Sequence, residues 1–313
     1  EYWEHENIDK FPNVKFKCNF MFFKNINPKV SGLRLSVIKI NKLSIPTQNK
    51  IIKKLIKLNR IKLIGTHLKD FTILKNIHNV TIEKDPTLHD LSQFSNVDIL
   101  TICKCINVRN IPYLKNLYSI SLNNIFHIYD ISNIKHINNI FISECHRISD
   151  ISPLKNVNNL NIQNCNGLYD ISPLKNINNL SISLCKNIKN YHTLTNVNKL
   201  YINNDYGKIE DISFGKNCTI FTIMDCDNIY DISLLANSKK LKHLIIISCN
   251  YLKKLPVFNN LEKLTLIDMD GLGISNLKLS PNLKYVKILN NENLIDYYID
   301  QYSINYDSFY NKN

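Results

Sequence analysis

Cysteine is the residue type in this chain whose chemistry and spacing first suggest a reactive site. The 313 residues contain 9 cysteines, and six of them recur at one position of a repeating pattern. The six are Cys105, Cys145, Cys165, Cys185, Cys226 and Cys249. Cysteines can act as nucleophiles, bind zinc or pair as disulfides. Because a residue that recurs from copy to copy is rarely a unique nucleophile, we expect no catalytic cysteine.

The spacing of the thiols favours a structural role over a metal site. The chain contains no Cys-x-x-Cys pair of the kind that zinc sites use. A buried thiol packs as a small hydrophobic group and can donate a weak hydrogen bond to a backbone carbonyl. Disulfides between adjacent copies are the alternative, since stacking would bring their Cα atoms to about 5 Å. Single cysteines in series favour a reducing compartment, so we predict a cytoplasmic location.

The other candidates for chemistry do not converge. His127, His136 and His146 occupy different positions of the repeat, and Gly271-Leu272-Gly273 lacks the context of a phosphate-binding loop. We therefore expect neither enzyme activity nor a cofactor or metal.

The elements that position these residues are copies of a unit of twenty residues, such as residues 160–179, LNIQNCNGLYDISPLKNINN. The Asp-Ile-Ser motif begins at Asp130, Asp150 and Asp170, in steps of 20 residues. We number the positions of the unit from Leu160 as position 1. Positions 1 and 3 alternate with polar residues as in a β-strand, and later apolar residues recur every third position, which favours 3₁₀ turns. No copy can bury its own apolar face, so the copies are predicted to stack in register.

Polar residues of the unit predict its turns. Asp170 at position 11 is placed to cap the N–H groups of the returning segment, and Pro173 favours a helical start. The asparagines that end each copy are expected to adopt the left-handed turn before the next strand.

The pattern Leu-x-Ile-x-x-Cys-x-x-Leu-x-Asp-Ile-Ser-Pro-Leu resembles the short leucine-rich repeats of internalins, which carry Asn where this chain carries Cys. The resemblance implies an α/β repeat fold, a curved right-handed solenoid with a parallel sheet on its concave face and 3₁₀ or turn segments on its convex face. It also implies a non-enzymatic role in binding proteins. A secreted or surface-attached protein is the alternative location that internalins suggest.

The pattern divides the chain into three parts. Residues 1–32 are rich in aromatic side chains and are predicted to be an N-terminal cap, because terminal repeats are atypical. Residues 33–295 form the predicted solenoid, and residues 296–313 a tyrosine-rich C-terminal cap or tail. No run approaches the 18 apolar residues of a membrane span. We expect a monomer without a membrane span.

The charge balance raises polyanions as a second class of partner. With 39 Lys+Arg and 26 Asp+Glu, the formal net charge is +13. Five lysines share position 16 and would form a lysine stripe on the convex side: Lys75, Lys115, Lys135, Lys155 and Lys175. Aspartates at position 11 offset this charge, and no aromatic residues interleave with the lysines as in single-strand binders. A polyanion or nucleic-acid binder is therefore the alternative, and nucleic acid is not the expected partner.

The concave face is the predicted partner-binding surface, because positions 2, 4 and 5 point away from the core. These positions are small and polar in the middle copies and apolar toward the C-terminal half. The predicted contact residues are Phe141, Tyr201, Met224, Ile245, Ile247, Ile267 and Leu289, bordered by Lys242, Lys263 and Lys287. An apolar patch with a charged rim is typical of a protein-binding site. The open alternative is that the C-terminal tail covers this patch.

Overall fold

The structure is a computed structural model that describes residues 59–68, 70–203, 209, 211–269, 272 and 281–289, with Pro46 and the backbone of 33–36. The two predicted caps, 1–32 and 296–313, lie outside the described residues. The chain divides into two compact units. The first unit comprises Glu1–Val157 with Cys165–Gly167, and the second Asn158–Asn164 with Leu168–Asn313.

Each unit is built on parallel strands that pair in chain order. The strands described in the first unit are β1 Leu33–Ser36, β2 Arg60–Ile64, β3 Asn79–Glu83, β4 Ile99–Cys103, β5 Ser119–Asn123 and β6 Asn139–Ser143. Those described in the second unit are β7 Asn159–Gln163, β8 Asn179–Ser183, β9 Lys199–Asn203, β10 Ile220–Met224, β11 His243–Ile247, β12 Lys263–Ile267 and β13 Tyr285–Leu289. Equivalent positions of successive copies are register partners, as stacking requires.

The core follows the apolar positions of the repeat. In one copy of the second unit the residues at positions 1, 3, 6, 9, 12, 15 and 18 are all buried: Leu180, Ile182, Cys185, Ile188, Tyr191, Leu194 and Val197. Ile182 is 0% exposed, so the alternation of its strand places position 3 wholly inside. Positions 2 and 4 of the same strand, Ser181 and Ser183, are half-buried on the opposite, outer face.

Short 3₁₀ segments return the chain from one strand to the next. They are Thr72–Leu74, Ser92–Phe94, Ser132–Ile134 and Ser152–Leu154 in the first unit, and Ser172–Asn176, Tyr191–Thr193, Ser213–Asn217 and Ser233–Leu235 in the second. The predicted fold of parallel strands and 3₁₀ turns is thereby confirmed in each unit. Pro173 lies at the start of its segment, as its fixed φ favours.

The aspartates of position 11 accept backbone hydrogen bonds at the start of these returning segments. Asp170 Oδ1 accepts the backbone N–H of Ser172 at 2.8 Å, and Asp130 Oδ1 accepts that of Ser132 at 2.8 Å. The same hydrogen bonds lower the pKa of the Asp130 and Asp170 carboxyls. The predicted capping role of this position is confirmed.

The left-handed turn lies at a different place from the one predicted. Positive φ angles occur at position 5, directly after the strand, and the residues there include Lys84 (φ 54°), Leu184 (φ 54°) and Asp225 (φ 52°). The prediction that asparagines at the end of each copy adopt this conformation was wrong. The physical reason is a hydrogen bond to the next strand: the N–H of Leu184 donates to the carbonyl of Asn203 at 3.0 Å. Bonds of this kind offset the cost of a left-handed residue.

The asparagines that end each copy form side-chain ladders instead. Asn178 Nδ2 donates to Asn158 Oδ1 at 3.0 Å, and Asn198 Nδ2 donates to Asn178 Oδ1 at 3.0 Å. Asn196 and Asn176 repeat the contact at position 17, at 3.2 Å. An amide carries both donors and an acceptor, so one residue can bond to the copies on both sides.

The position 6 cysteines are buried and bonded to backbone, as predicted. Cys145 Sγ donates to the carbonyl oxygens of Ser143 at 3.3 Å and Leu122 at 3.7 Å, and thus reaches the preceding strand. Burial raises the pKa of the Cys145 thiol to about 11. Early in the first unit, Asp85 occupies the same position and is 0% exposed. Its Oδ2 accepts hydrogen bonds from Thr66 and His67 and its Oδ1 accepts two from Thr87, so both buried carboxyl oxygens have donors.

Candidate functional site: the outer sheet face of the second unit

The predicted apolar residues of the second unit come together on the outer face of its sheet. Met224 on β10 is the register partner of Ile247 on β11, Ile247 of Ile267 on β12, and Ile267 of Leu289 on β13. All four occupy position 4 and are half-buried. We call Met224, Ile247, Ile267 and Leu289 the apolar row. Four neighbouring strands therefore present one apolar side chain each, side by side.

A second row runs beside it at position 2. Thr222, Ile245 and Thr265 are register partners on β10, β11 and β12, and we call them the central row. Tyr201 lies on β9 at the near end of this row and Lys287 on β13 at the far end. The Tyr201 hydroxyl donates to Met224 Sδ at 3.4 Å, which joins the end of the central row to the apolar row.

Phe141, which was also predicted to contact a partner, belongs to the first unit. It is half-buried on β6 in the first unit, where its register partner on β5 is Ser121. The sequence pattern singled it out together with Tyr201 because both are large side chains among small, polar ones at the outer positions. Because Ser121 is small and polar, Phe141 and this partner on β5 do not form an apolar row.

The lysines of the predicted rim have different environments. Lys242 Nζ lies 3.0 Å from Glu262 Oε1, and Lys284 Nζ lies 3.4 Å from Glu262 Oε2. The hydrogen bond from Lys242, followed by that from Lys284, lowers the pKa of the Glu262 carboxyl. The charge of Lys242 is thus partly compensated within the chain. Lys263 is exposed at the amino end of β12, where it is available to a partner.

His243 contributes little positive charge to this surface at neutral pH. It lies at the amino end of β11, beside its register partner Lys263. Burial, and secondarily the Lys263 charge, lowers the pKa of the His243 imidazole. Its Nε2 lies 3.3 Å from the Thr265 hydroxyl. The basic character of the amino end therefore comes from lysines, with Lys199 exposed on β9 as a second one.

An acidic border that the sequence pattern did not predict lies on the other side of the apolar row. Asp225 and Asp268 follow Met224 and Ile267 directly, at the left-handed position 5. Ser248 occupies the same position between them. We call Asp225, Ser248 and Asp268 the turn row. The turn row could have been predicted from the apolar row, because each of its members directly follows a residue of the apolar row in the sequence.

The lysine stripe is on the returning segments. Lys75, Lys115, Lys135 and Lys155 are exposed in the first unit, and Lys175 is exposed in the second. Position 16 carries Ser95 in the copy between Lys75 and Lys115, which interrupts the row. The stripe of the first unit is therefore continuous over three copies.

Within the described ranges, no group of three or more His, Cys, Asp or Glu is placed to hold a metal ion. Likewise, none of the helices in the described part of the chain is long and apolar enough to cross a membrane.

Comparison with protein-family profiles found no match, and comparison with curated proteins found none either. Among solved structures, the chain is similar to an internalin of Listeria monocytogenes, with 24% identity, a TM-score of 0.49 and 76% of each chain covered. It is also similar to a leucine-rich-repeat protein of Leptospira interrogans, with 16% identity and a TM-score of 0.46, covering 93% of this chain and 88% of that one. These likenesses concern the fold. The resemblance to leucine-rich repeats, with units of about 20 residues, is confirmed by the repeated strands and 3₁₀ turns described above.

Proposed function

We propose that this chain is a non-enzymatic interaction scaffold that binds a partner protein through the outer sheet face of its second unit. The observation that carries the proposal is the apolar row, in which Met224, Ile247, Ile267 and Leu289 lie on adjacent strands. Side chains on the outer face of the middle strands, such as Ser181 and Ser183, are small and polar. An isolated exposed apolar residue needs no explanation, but a contiguous row with charged borders is typical of a binding site.

The composition of the surface supports a protein partner. Met adapts to irregular surfaces, and Tyr is enriched where proteins meet. The apolar centre would supply most of the binding free energy, since buried central contacts dominate interfaces. Lysines such as Lys263 at the border would act mainly on specificity and the rate of association.

A capture experiment tests the proposal. The wild type, Ile247→Asp and Ser183→Asp are immobilised and incubated with an extract of the organism that naturally makes this protein. The bound proteins are quantified by mass spectrometry. Ser183 shares position 4 with Ile247 but lies outside the apolar row, so its variant is a matched control. A partner of this surface is retained by the wild type and Ser183→Asp and is reduced about tenfold or more by Ile247→Asp. Equal recovery on an Ile247→Asp protein that melts like the wild type would overturn the proposal.

Polyanion binding by the lysine stripe is the second candidate, because Lys115, Lys135 and Lys155 are all exposed on consecutive copies of the first unit. It is the weaker one. The aspartates of position 11 lie on the same returning segments and offset the lysine charge, and hydrogen bonds from Ser132 lower the pKa of the Asp130 carboxyl.

A further inference from the structure

The spacing between neighbouring strands on the outer face of the second unit limits which kind of chain segment can pack there. Neighbouring strands lie about 4.8 Å apart, so the apolar row from Met224 to Leu289 spans about 14 Å across three strand separations. A segment that fills this row must present one apolar side chain for about every 4.8 Å of its length.

An α-helix lying across the strands meets this requirement. Its apolar residues at i, i+3 or i+4, and i+7 recur once per turn, about every 5.4 Å along the axis. The row then corresponds to about ten residues, or nearly three turns. An extended segment fits poorly, because side chains on one of its faces recur about every 6.6 Å and fall out of step within three strands.

The central row leaves room for a helix. Thr222 and Thr265 are small residues on either side of Ile245, and Thr265 is only 9% exposed. The central and apolar rows are two residues apart along each strand, or about 6.6 Å. A helix of 10 to 12 Å diameter, about the usual value with side chains, would rest on both rows at once.

The charges on the two borders differ in sign. Lys199 and Lys263 lie at the amino ends of β9 and β12, and both are exposed. Asp225 and Asp268 lie beyond the carboxyl ends of β10 and β12. A complementary helix would carry acidic residues along the border that faces the lysines and basic residues along the border that faces the turn row.

We propose that the occupant of this surface is an amphipathic α-helix of about three turns from a partner protein, lying across β10 to β13. Its apolar stripe packs on the apolar and central rows, with an acidic border toward Lys263 and a basic border toward Asp268. This inference rests on the proposed function, because it specifies the partner of the same surface.

Selection from a displayed library of random 16-residue peptides against the full chain tests the proposal. Enriched peptides are expected to carry apolar residues at i, i+3 or i+4, i+7 and i+10 or i+11. They should bind Ser183→Asp like the wild type and bind Ile247→Asp about tenfold more weakly or worse. Circular dichroism should report a gain of helix when the peptide binds.

A charge exchange tests the orientation of the helix. Lys263→Glu should weaken an enriched peptide about twofold to fivefold, and changing the acidic border of that peptide to Lys should restore the affinity. Loss of binding without rescue would overturn the assigned border.

The outcomes separate this inference from the proposed function. Enriched peptides that depend on Ile247 but have apolar residues at every second position would overturn the helix and leave the binding surface in place. Enrichment that is equal on the wild type and on a folded Ile247→Asp variant would overturn both.

Discussion

Met224 and Ile247 are register partners on adjacent strands, although residue 247 follows residue 224 by 23 positions instead of 20. The extra residues are accommodated between β10 and β11, outside both strands. The turn row and the core therefore keep their register where the repeat lengthens. This is why the apolar row is continuous across copies of unequal length, and why a surface suited to a partner can form there.

Removing the buried carboxylate of Asp85 should destabilise the first unit strongly. Asp85→Ala leaves the hydroxyl of Thr66 and the N–H of His67 without the acceptor that lies 2.8 and 2.9 Å away. The loss of a buried acceptor with several donors is expected to cost about 3 kcal/mol or more of unfolding free energy. Urea unfolding measures it. Asp90→Ala, an exposed aspartate of position 11, is the control and should cost about 1 kcal/mol; equal losses would contradict the account of Asp85.

Stability should fall at alkaline pH because of the buried thiols. Burial raises the pKa of Cys105 to about 12 and that of Cys145 to about 11. An unfolded thiol ionises near 8.5, so above about pH 9 the unfolded chain loses these protons first and becomes favoured. The unfolding free energy should drop by about 1.4 kcal/mol per pH unit for each such thiol up to its folded pKa.

Urea unfolding at pH values from about 8 to 10.5 measures this slope. Cys145→Ala removes one titrating thiol and should make the decline shallower, whatever its effect on stability at the lowest pH. If the wild type and the variant decline in parallel, Cys145 is not protected from ionisation in the folded state.

The asparagine ladder should be energetically coupled. Asn178 bonds to both Asn158 and Asn198 at 3.0 Å. A double-mutant cycle of Asn158→Ala and Asn178→Ala is expected to give a coupling of about 0.5 kcal/mol in the unfolding free energy, at the low end for a hydrogen bond because both residues are exposed. Strict additivity of the two substitutions would indicate that the ladder does not stabilise the chain.

Binding to polyanions should be weak and dependent on salt. Heparin affinity of the wild type is expected to fall steeply between about 50 and 200 mM salt, in proportion to the number of lysines that contact the polymer. The double variant Lys135→Glu with Lys155→Glu should reduce the slope as well as the affinity. If the wild type binds heparin tightly at physiological salt and the double variant does not, the lysine stripe is favoured over the apolar row as the functional surface.

The repeat period and the core were predictable because they depend on apolar spacing alone. Ile182 and Cys185 are buried where the period places them. The left-handed turn was not predictable from residue type, since Lys84 and Leu184 adopt it through a hydrogen bond to the next strand that no propensity records. Asp85 also escaped prediction, because its donors include residues from another copy of the repeat.

The candidate site was predictable in part for the same reason. Met224, Ile247 and Leu289 share position 4, so the sequence pattern places them in one row, as the strand register does. The pairing of Lys242 with Glu262 was missed, because it depends on side-chain positions in neighbouring copies. The alternative that the tail at residues 296–313 covers the apolar row stays a prediction, since those residues lie outside the described ranges.

Photo-cross-linking from two positions tests most directly whether the outer sheet face of the second unit is the binding surface. Benzoylphenylalanine is placed at position 247 in one variant and at position 155 of the lysine stripe in another, and both are irradiated in an extract of the producing cells. The account predicts a defined cross-linked protein from position 247 and none from position 155. Cross-links from position 155 alone, with none from position 247 in a folded protein, would contradict it.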